Sequence, residues 1–218
     1  MQQVKVCGMT NPLNIESVLK CGVDLMGFIF YPPSKRYIGN TGLSDWIHKN
    51  LNAFGRTKRV GVFVNTGIDD LLNQVHDYQL DLLQFHGDEE PEYCREIGDF
   101  RRVESLSHLR LIKAFQVDES FDFSICEAYS PYCDYFLFDT KSKQYGGTGK
   151  TFDWSILDQY KTSKPFFLSG GLSMDNLAAV KVFNHPMLAG YDINSGFEIE
   201  PGIKDADQVC AFVKSVKS

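Results

Sequence analysis

No Cys-x-x-Cys pair occurs among the six cysteines, Cys7, Cys21, Cys94, Cys126, Cys133 and Cys210. Their scatter through 218 residues, enough chain to bury a core without staples, excludes the small disulfide-framework class and makes reduced thiols the expectation. A His-Glu-x-x-His helix and any close Cys/His ligand grouping are also missing, so metal-free acid/base chemistry is expected. No apolar run reaches membrane-spanning length, and Met1-Gln2-Gln3 leads straight into a strand with no charged leader or signal region, so a cytoplasmic location without membrane contact is expected. Basic residues are outnumbered 22 to 28, a net charge of -6, and form no stripe, which excludes nucleic acid as a partner but leaves room for a small anionic ligand. A dinucleotide-type Gly-x-Gly-x-x-Gly turn after the first strand is absent, because Cys7-Gly8-Met9-Thr10-Asn11 stands there. A nucleotide P-loop fails on spacing: Gly149-Lys150-Thr151 ends the motif, but Gln144 occupies the position of its first glycine.

What is present is a recurring strand, loop and helix. Val4 to Cys7 is a short apolar strand, followed by Asn11 as a helix cap with Pro12 at the first helical position and a buried stripe of Ile15, Val18 and Leu19. Leu25 to Phe30 is almost wholly apolar, as suits a strand covered on both faces. Further strands are expected at 60–64, 81–85, 111–115, 135–138, 166–168 and 188–193, with helices around 44–51, 68–76, from an opening at Glu89-Glu90-Pro91, 121–129, 154–160, after Ser173 and to about 214. Gly98 to Leu109 either extends the helix that opens at Glu89-Glu90-Pro91 or forms a surface insertion. Strand ends recur roughly every 25 residues, which favours a single (β/α)8 TIM barrel domain over residues 1–218, with an open doubly wound sheet as the alternative.

A barrel brings the C-terminal ends of its strands to one face, so Cys7, Arg36, His86, Asp139, Gly170 and Ser195 are expected around one pocket. Each has a plainer reading. A cysteine at a strand end is most often a small buried apolar group, although the helix entry after Cys7 would favour its thiolate; Cys21 and Cys210 fall on helices and look inert. Asp139 ends the apolar run Tyr135 to Phe138, or merely caps a turn. Arg36 beside Lys35 reads either as a ligand-facing cation or as part of a solvated charge pair, and His86 as a supporting residue rather than a catalytic one. Gly170-Gly171 lies between an apolar strand and a helix capped by Ser173, where exposed amides suit phosphate. The stretch Lys141 to Asp153 reads as a glycine-rich covering loop with Asp153 as a helix cap.

The segments KVCGMT (5–10), FYPPSKRYI (30–38), VGVFVN (60–65), LLQFHGDE (82–89), FDTKSKQYGGTGKTFDW (138–154), FLSGGL (167–172), DINSG (192–196) and PGIKD (201–205) resemble, in order and over nearly the whole chain, phosphoribosylanthranilate isomerase. The resemblance implies an Amadori rearrangement of N-(5-phosphoribosyl)anthranilate in tryptophan biosynthesis, with no cofactor and a phosphosugar as the small-molecule partner. It implies Cys7 as general base, Asp139 as general acid and Arg36 toward the anthranilate carboxylate. The phosphate falls to the loops after strands seven and eight, here Gly170-Gly171 and Asn194-Ser195-Gly196, and the chain is expected as a monomer or a homodimer. Two rivals share the same features. A phosphosugar lyase or synthase would need a strand-end lysine, for which Lys113 is the candidate, and a non-catalytic phosphate-ligand binder would need neither Cys7 nor Asp139.

Overall fold

The computed structural model describes residues 2–39, 41–103, 106–140 and 154–217. Eight strands, β1 (Gln3–Val6), β2 (Leu25–Ile29), β3 (Lys58–Phe63), β4 (Leu82–Phe85), β5 (Arg110–Val117), β6 (Tyr135–Thr140), β7 (Phe166–Ser169) and β8 (Leu188–Ile193), run parallel in chain order and close through the pairing of β1 with β8. Helices α1 (Pro12–Leu19), α2 (Leu43–Lys49), α3 (Ile68–Asp77), α4 (Pro91–Val103), α5 (Ile125–Tyr129), α6 (Leu177–Val182) and α7 (Ala206–Lys217) separate the strands or follow the last. The open-sheet alternative is therefore excluded.

Strand alternation divides the side chains into two sets. Leu25, Val60, Leu82, Ile112, Ala114, Leu137 and Phe167 form one apolar cluster, and the register places them as neighbours inside the barrel. A larger cluster, with Val4, Phe28, Phe63, Phe85, Phe136, Phe138 and Phe166, lies between the barrel and its helices. Two residues beyond the apolar layer, the inward positions turn polar: Gln84 follows Leu82, Asp139 follows Leu137, and Ser169 follows Phe167. The barrel is thus filled by apolar side chains below and polar at its C-terminal mouth.

Local chemistry sets most of the boundaries. The side chain of Asn11 accepts from Asn14 N at 3.1 Å and caps α1 with Pro12 inside it. Gly98 lies within α4, so the first half of the ambiguous segment extends that helix. The helix expected from Phe121 begins only at Ile125, because the Asp118 and Asp122 carboxylates accept from Ser120 N and Ser124 N and hold the chain in turns. The helix expected near 154–160 is a 3-10 helix (Trp154–Gln159), and a 3-10 turn (Met174–Asn176), boxed by Ser173 and Asn176, precedes α6. The loop after β8 holds a hairpin, β9 (Glu198–Glu200) with β10 (Ile203–Lys204). The glycine-rich loop, with Gly146, Gly147 and the Asp153 cap, lies outside the described residues.

The expectation of reduced thiols is corrected at one pair. Cys21 and Cys210 are disulfide-bonded across 189 residues. Barrel closure packs α1 beside α7, which brings together two cysteines that carry no spacing signal in the sequence. Cys7, Cys94, Cys126 and Cys133 are free and buried.

Candidate active site

Lys5 and Cys7 are two apart at the end of β1 and share its inward face. The register pairs Lys5 with Asp192 of β8, and Lys5 Nζ donates to Asp192 Oδ1 at 2.9 Å, both groups being buried. Cys7 N donates to Ile193 O at 2.9 Å, which fixes the thiol at the rim. Burial pushes the Cys7 thiol upward, and the neighbouring Lys5 and Lys204 ammonium groups oppose it without reversing it, so the resting thiol is neutral. The helix entry lies at Asn11-Pro12 as expected, and the charges that favour the Cys7 thiolate are two lysines, Lys5 and Lys204. Lys5 is held above its usual value: burial acts against its charge, but Asp192 and Cys7 together outweigh it. Burial also raises Asp192, against the pull of Lys5 and His86 and with a push from Asp139.

Asp192 is thus coupled electrostatically to both halves of the mouth. On the far side, Asp139 sits at the end of β6 with a half-buried carboxylate, and His86 Nε2 lies 3.5 Å from its Oδ2. His86 follows β4, and its Nδ1 lies 2.8 Å from Gln84 Nε2. The buried Gln84 Oε1 has no hydrogen-bond partner among the described residues.

Arg36 reaches the mouth from the loop after β2. Its aliphatic stem lies over Gly8, where a Cβ would stand 2.6 Å from Arg36 Cδ and where φ is +77°. Only glycine suits both the backbone and the space. The guanidinium donates from Nε to Glu198 Oε1 at 2.7 Å and from Nη2 to Glu198 Oε2, so it is not a solvated charge pair with Lys35. Lys204 Nζ donates to the same Glu198 Oε1 at 2.6 Å and to Asn194 Oδ1 at 2.7 Å. Burial would raise Glu198, but the hydrogen bonds from Arg36 and Lys204 prevail and bring it down to about 2.

The loops after β7 and β8 meet. Gly170 and Gly171 both take left-handed backbone, with φ of +91° and +64°, and Asn176 Nδ2 donates to Gly171 O at 2.8 Å. A Cβ on Gly196 would fall 2.2 Å from Leu172 O, so glycine there lets the Ser195–Phe197 turn close onto the SGG segment. The Asn194 side-chain oxygen is taken by Lys204, and that side chain faces the Arg36 half of the mouth.

Contacts and electrostatic coupling link Cys7, Arg36, His86 and Asp139 across the mouth, while Gly170, Gly171, Asn194, Ser195 and Gly196 line the adjoining loops. Sequence reasoning missed Lys5, Gln84, Asp192, Glu198 and Lys204. A lysine two residues before a strand-end cysteine, on the same face, is the signal that would have found the first. Lys113, between the inward Ile112 and Ala114, points outward, where its Nζ lies 3.1 Å from Glu89 Oε2 and donates to Gly87 O at 2.7 Å. It steadies the loop after β4 and faces away from the mouth.

The family described as N-(5'phosphoribosyl)anthranilate (PRA) isomerase matches residues 4–215. An N-(5'-phosphoribosyl)anthranilate isomerase of Parabacteroides distasonis is 44% identical over 213 residues, 98% of this chain and 92% of its own length. The crystal structure of phosphoribosyl anthranilate isomerase from Thermotoga maritima is 35% identical, with a TM-score of 0.80 over 100% of this chain and 99% of that one. A structure of the isomerase in complex with reduced 1-(o-carboxyphenylamino)-1-deoxyribulose 5-phosphate is 32% identical, with a TM-score of 0.79 over 100% and 99% of the two chains.

Proposed function

We infer a mechanism from the premise that this chain belongs to the N-(5'-phosphoribosyl)anthranilate isomerase family and is an isomerase of tryptophan biosynthesis. In it Asp139 is the general acid, Cys7 the general base, and Arg36 the anchor of the anthranilate carboxylate. The substrate is N-(5'-phosphoribosyl)anthranilate and the product is 1-(2-carboxyphenylamino)-1-deoxyribulose 5-phosphate.

The first step breaks the bond between C1' and the ring oxygen. The electron pair of that bond goes to the oxygen, which takes a proton from Asp139, while the anilinic nitrogen lone pair forms the C1' iminium. The C2' proton then passes to the Cys7 sulfur, its bonding electrons make the C1'–C2' double bond, and the iminium is neutralised to an enolamine that tautomerises to the ketose. Asp139 must begin protonated. Amide oxygen and nitrogen are interchangeable by a half-turn of Gln84, and with Oε1 accepting from His86 Nδ1–H the orphaned oxygen is satisfied. His86 Nε2 is then an acceptor 3.5 Å from Asp139 Oδ2, placed to take a hydrogen bond from the carboxyl O–H. Before the C2' proton reaches it, the Cys7 thiol gives its own proton to water, and the Lys5 ammonium beside it is the charge that compensates the thiolate.

The observation that carries this reading is the opposed placement of Cys7 and Asp139 on one barrel mouth, with a buried Lys5–Asp192 pair on one side and His86 on the other. The phosphate is assigned to the amides around Gly171 and Ser195, and with Arg36 at the other end the reacting carbons are held between base and acid. Cys7→Ala and Asp139→Asn should each lower kcat by at least about a hundredfold while binding of the reduced product persists. Near-wild-type turnover in either variant refutes the assignment. Arg36→Met should weaken product binding by roughly ten- to a hundredfold, the value of a charge-assisted pair.

A further inference from the structure

We propose that Glu198 is a positioning residue for substrate selection: it grips one edge of the Arg36 guanidinium and thereby presents the opposite edge as a fixed fork to the substrate carboxylate. The proposal rests on the reading of Arg36 given above and adds the residue that makes its geometry rigid.

Arginine has five N–H donors in a plane, enough for two bidentate partners on different edges. Glu198 occupies the Nε/Nη2 edge with both carboxylate oxygens. The Nη1/Nη2 edge is the other fork, and it has the shape a second carboxylate requires. A long side chain on a loop would otherwise lose rotamer freedom when ligand binds, and that cost falls on affinity. Glu198 removes it beforehand.

Glu198 is itself immobilised. Its carboxylate receives four hydrogen bonds, from Arg36 Nε and Nη2, from Lys204 Nζ and from Gly202 N. Lys204 is buried, and its backbone is held by a reciprocal pair: Lys204 N donates to Asn14 Oδ1 at 2.8 Å and Asn14 Nδ2 donates to Lys204 O at 2.8 Å. The hairpin therefore rests on α1, directly after the Cys7 loop. Charge supports the same assignment. Arg36, Lys204 and Glu198 together carry one net positive charge, which one incoming carboxylate neutralises. The competing idea, that Glu198 only occupies the ligand's place and swings away on binding, would strand the Lys204 ammonium in a buried site, a costly outcome.

The test uses the full-length enzyme with two probes, the reduced product and its phenylamino counterpart lacking the carboxylate. Wild type should prefer the carboxylate-bearing probe. In Glu198→Gln that preference should fall by about tenfold through weaker binding of the carboxylate-bearing probe, with the other probe bound as before and KM rising more than kcat falls. Placed on Arg36→Met, the same substitution should change the preference no further, because Glu198 acts through Arg36. Glu198→Asp, which keeps the charge but shortens the reach, should show the same narrowing and supplies the measurement if the glutamine variant does not fold. Equal loss of both probes would mark Glu198 as merely structural, and tighter binding of the carboxylate-bearing probe would show it to be a competitor; either overturns the proposal. Unchanged preference in both variants, with wild type discriminating, defeats this inference alone. A wild type without preference defeats the reading of Arg36 as well.

Discussion

At the scale of single residues, the barrel mouth sets a thiol that resists ionisation beside two lysine ammonium groups. Cys7 is buried, and burial sets the sign of its shift; Lys5 and Lys204 reduce that shift but leave the thiol above its usual value near 9.0. The thiol is therefore protonated at neutral pH in the ligand-free protein. Alkylation mapped to Cys7 should climb about tenfold per pH unit through neutrality, with no plateau below about pH 9. A plateau reached by pH 7 would mean that the resting site stores a thiolate. The positions of Cys7, Arg36 and Asp139 at the barrel mouth were legible because each sits at the end of an apolar run or in the loop after it, and a barrel gathers such ends on one face. Lys5 and Asp192 were not. Each reads alone as a charge in a strand, and only the closure register of β1 against β8 makes them a buried pair. Glu198 escaped for a related reason, since its hairpin depends on contacts with α1 and Arg36 that lie far away in sequence.

At the scale of elements, the loops after β7 and β8 act as one unit because Gly196 allows backbone contact with Leu172. The strands and the α1 cap were legible from apolar runs and from Asn11-Pro12, whereas the 3-10 turns were not, since short helices depend on their packing surroundings more than on propensity. If these loops hold the phosphate, disturbing either should affect substrate binding first. Gly171→Asp adds a negative charge beside the assigned amides; no neighbour within 4 Å blocks the new Cβ, and aspartate tolerates the left-handed φ of +64° better than most side chains, so KM should rise by at least about tenfold. Gly196→Ala should have a like effect by a different route, pushing the Ser195 turn off Leu172 O. Steady-state kinetics with inorganic phosphate as competitor would check both, and phosphate inhibition should weaken in each variant. If Gly147→Asp raised KM more than Gly171→Asp, the anion would belong to the glycine-rich loop instead.

At the scale of the whole molecule, the barrel is closed twice. Hydrogen bonds join β1 to β8, and one layer outward the Cys21–Cys210 disulfide joins the end of α1 to α7, enclosing almost the entire chain in a covalent ring. Chain entropy makes such a link most effective when the loop it closes is long, and for a separation of 189 residues the stabilisation approaches about 5 kcal/mol at most. The link is remote from catalysis: neither cysteine touches the mouth, and the Lys204 backbone is held to α1 by Asn14 rather than by the disulfide. Reduction, or Cys21→Ala with Cys210→Ala, should therefore lower the unfolding midpoint in denaturant and steepen the slope, because the unlinked denatured chain exposes more surface, while leaving the kcat at 25 °C nearly unchanged. The expected drop in Tm is several degrees, at about 2–4 °C for each kcal/mol in a chain of this size. A midpoint that does not respond to reductant would mean that the thiols are unpaired in solution and that hydrogen bonding alone closes the barrel. A loss of kcat in step with the loss of stability would instead make the α1 and α7 seam part of the machinery that holds Lys204, Glu198 and Arg36 in place.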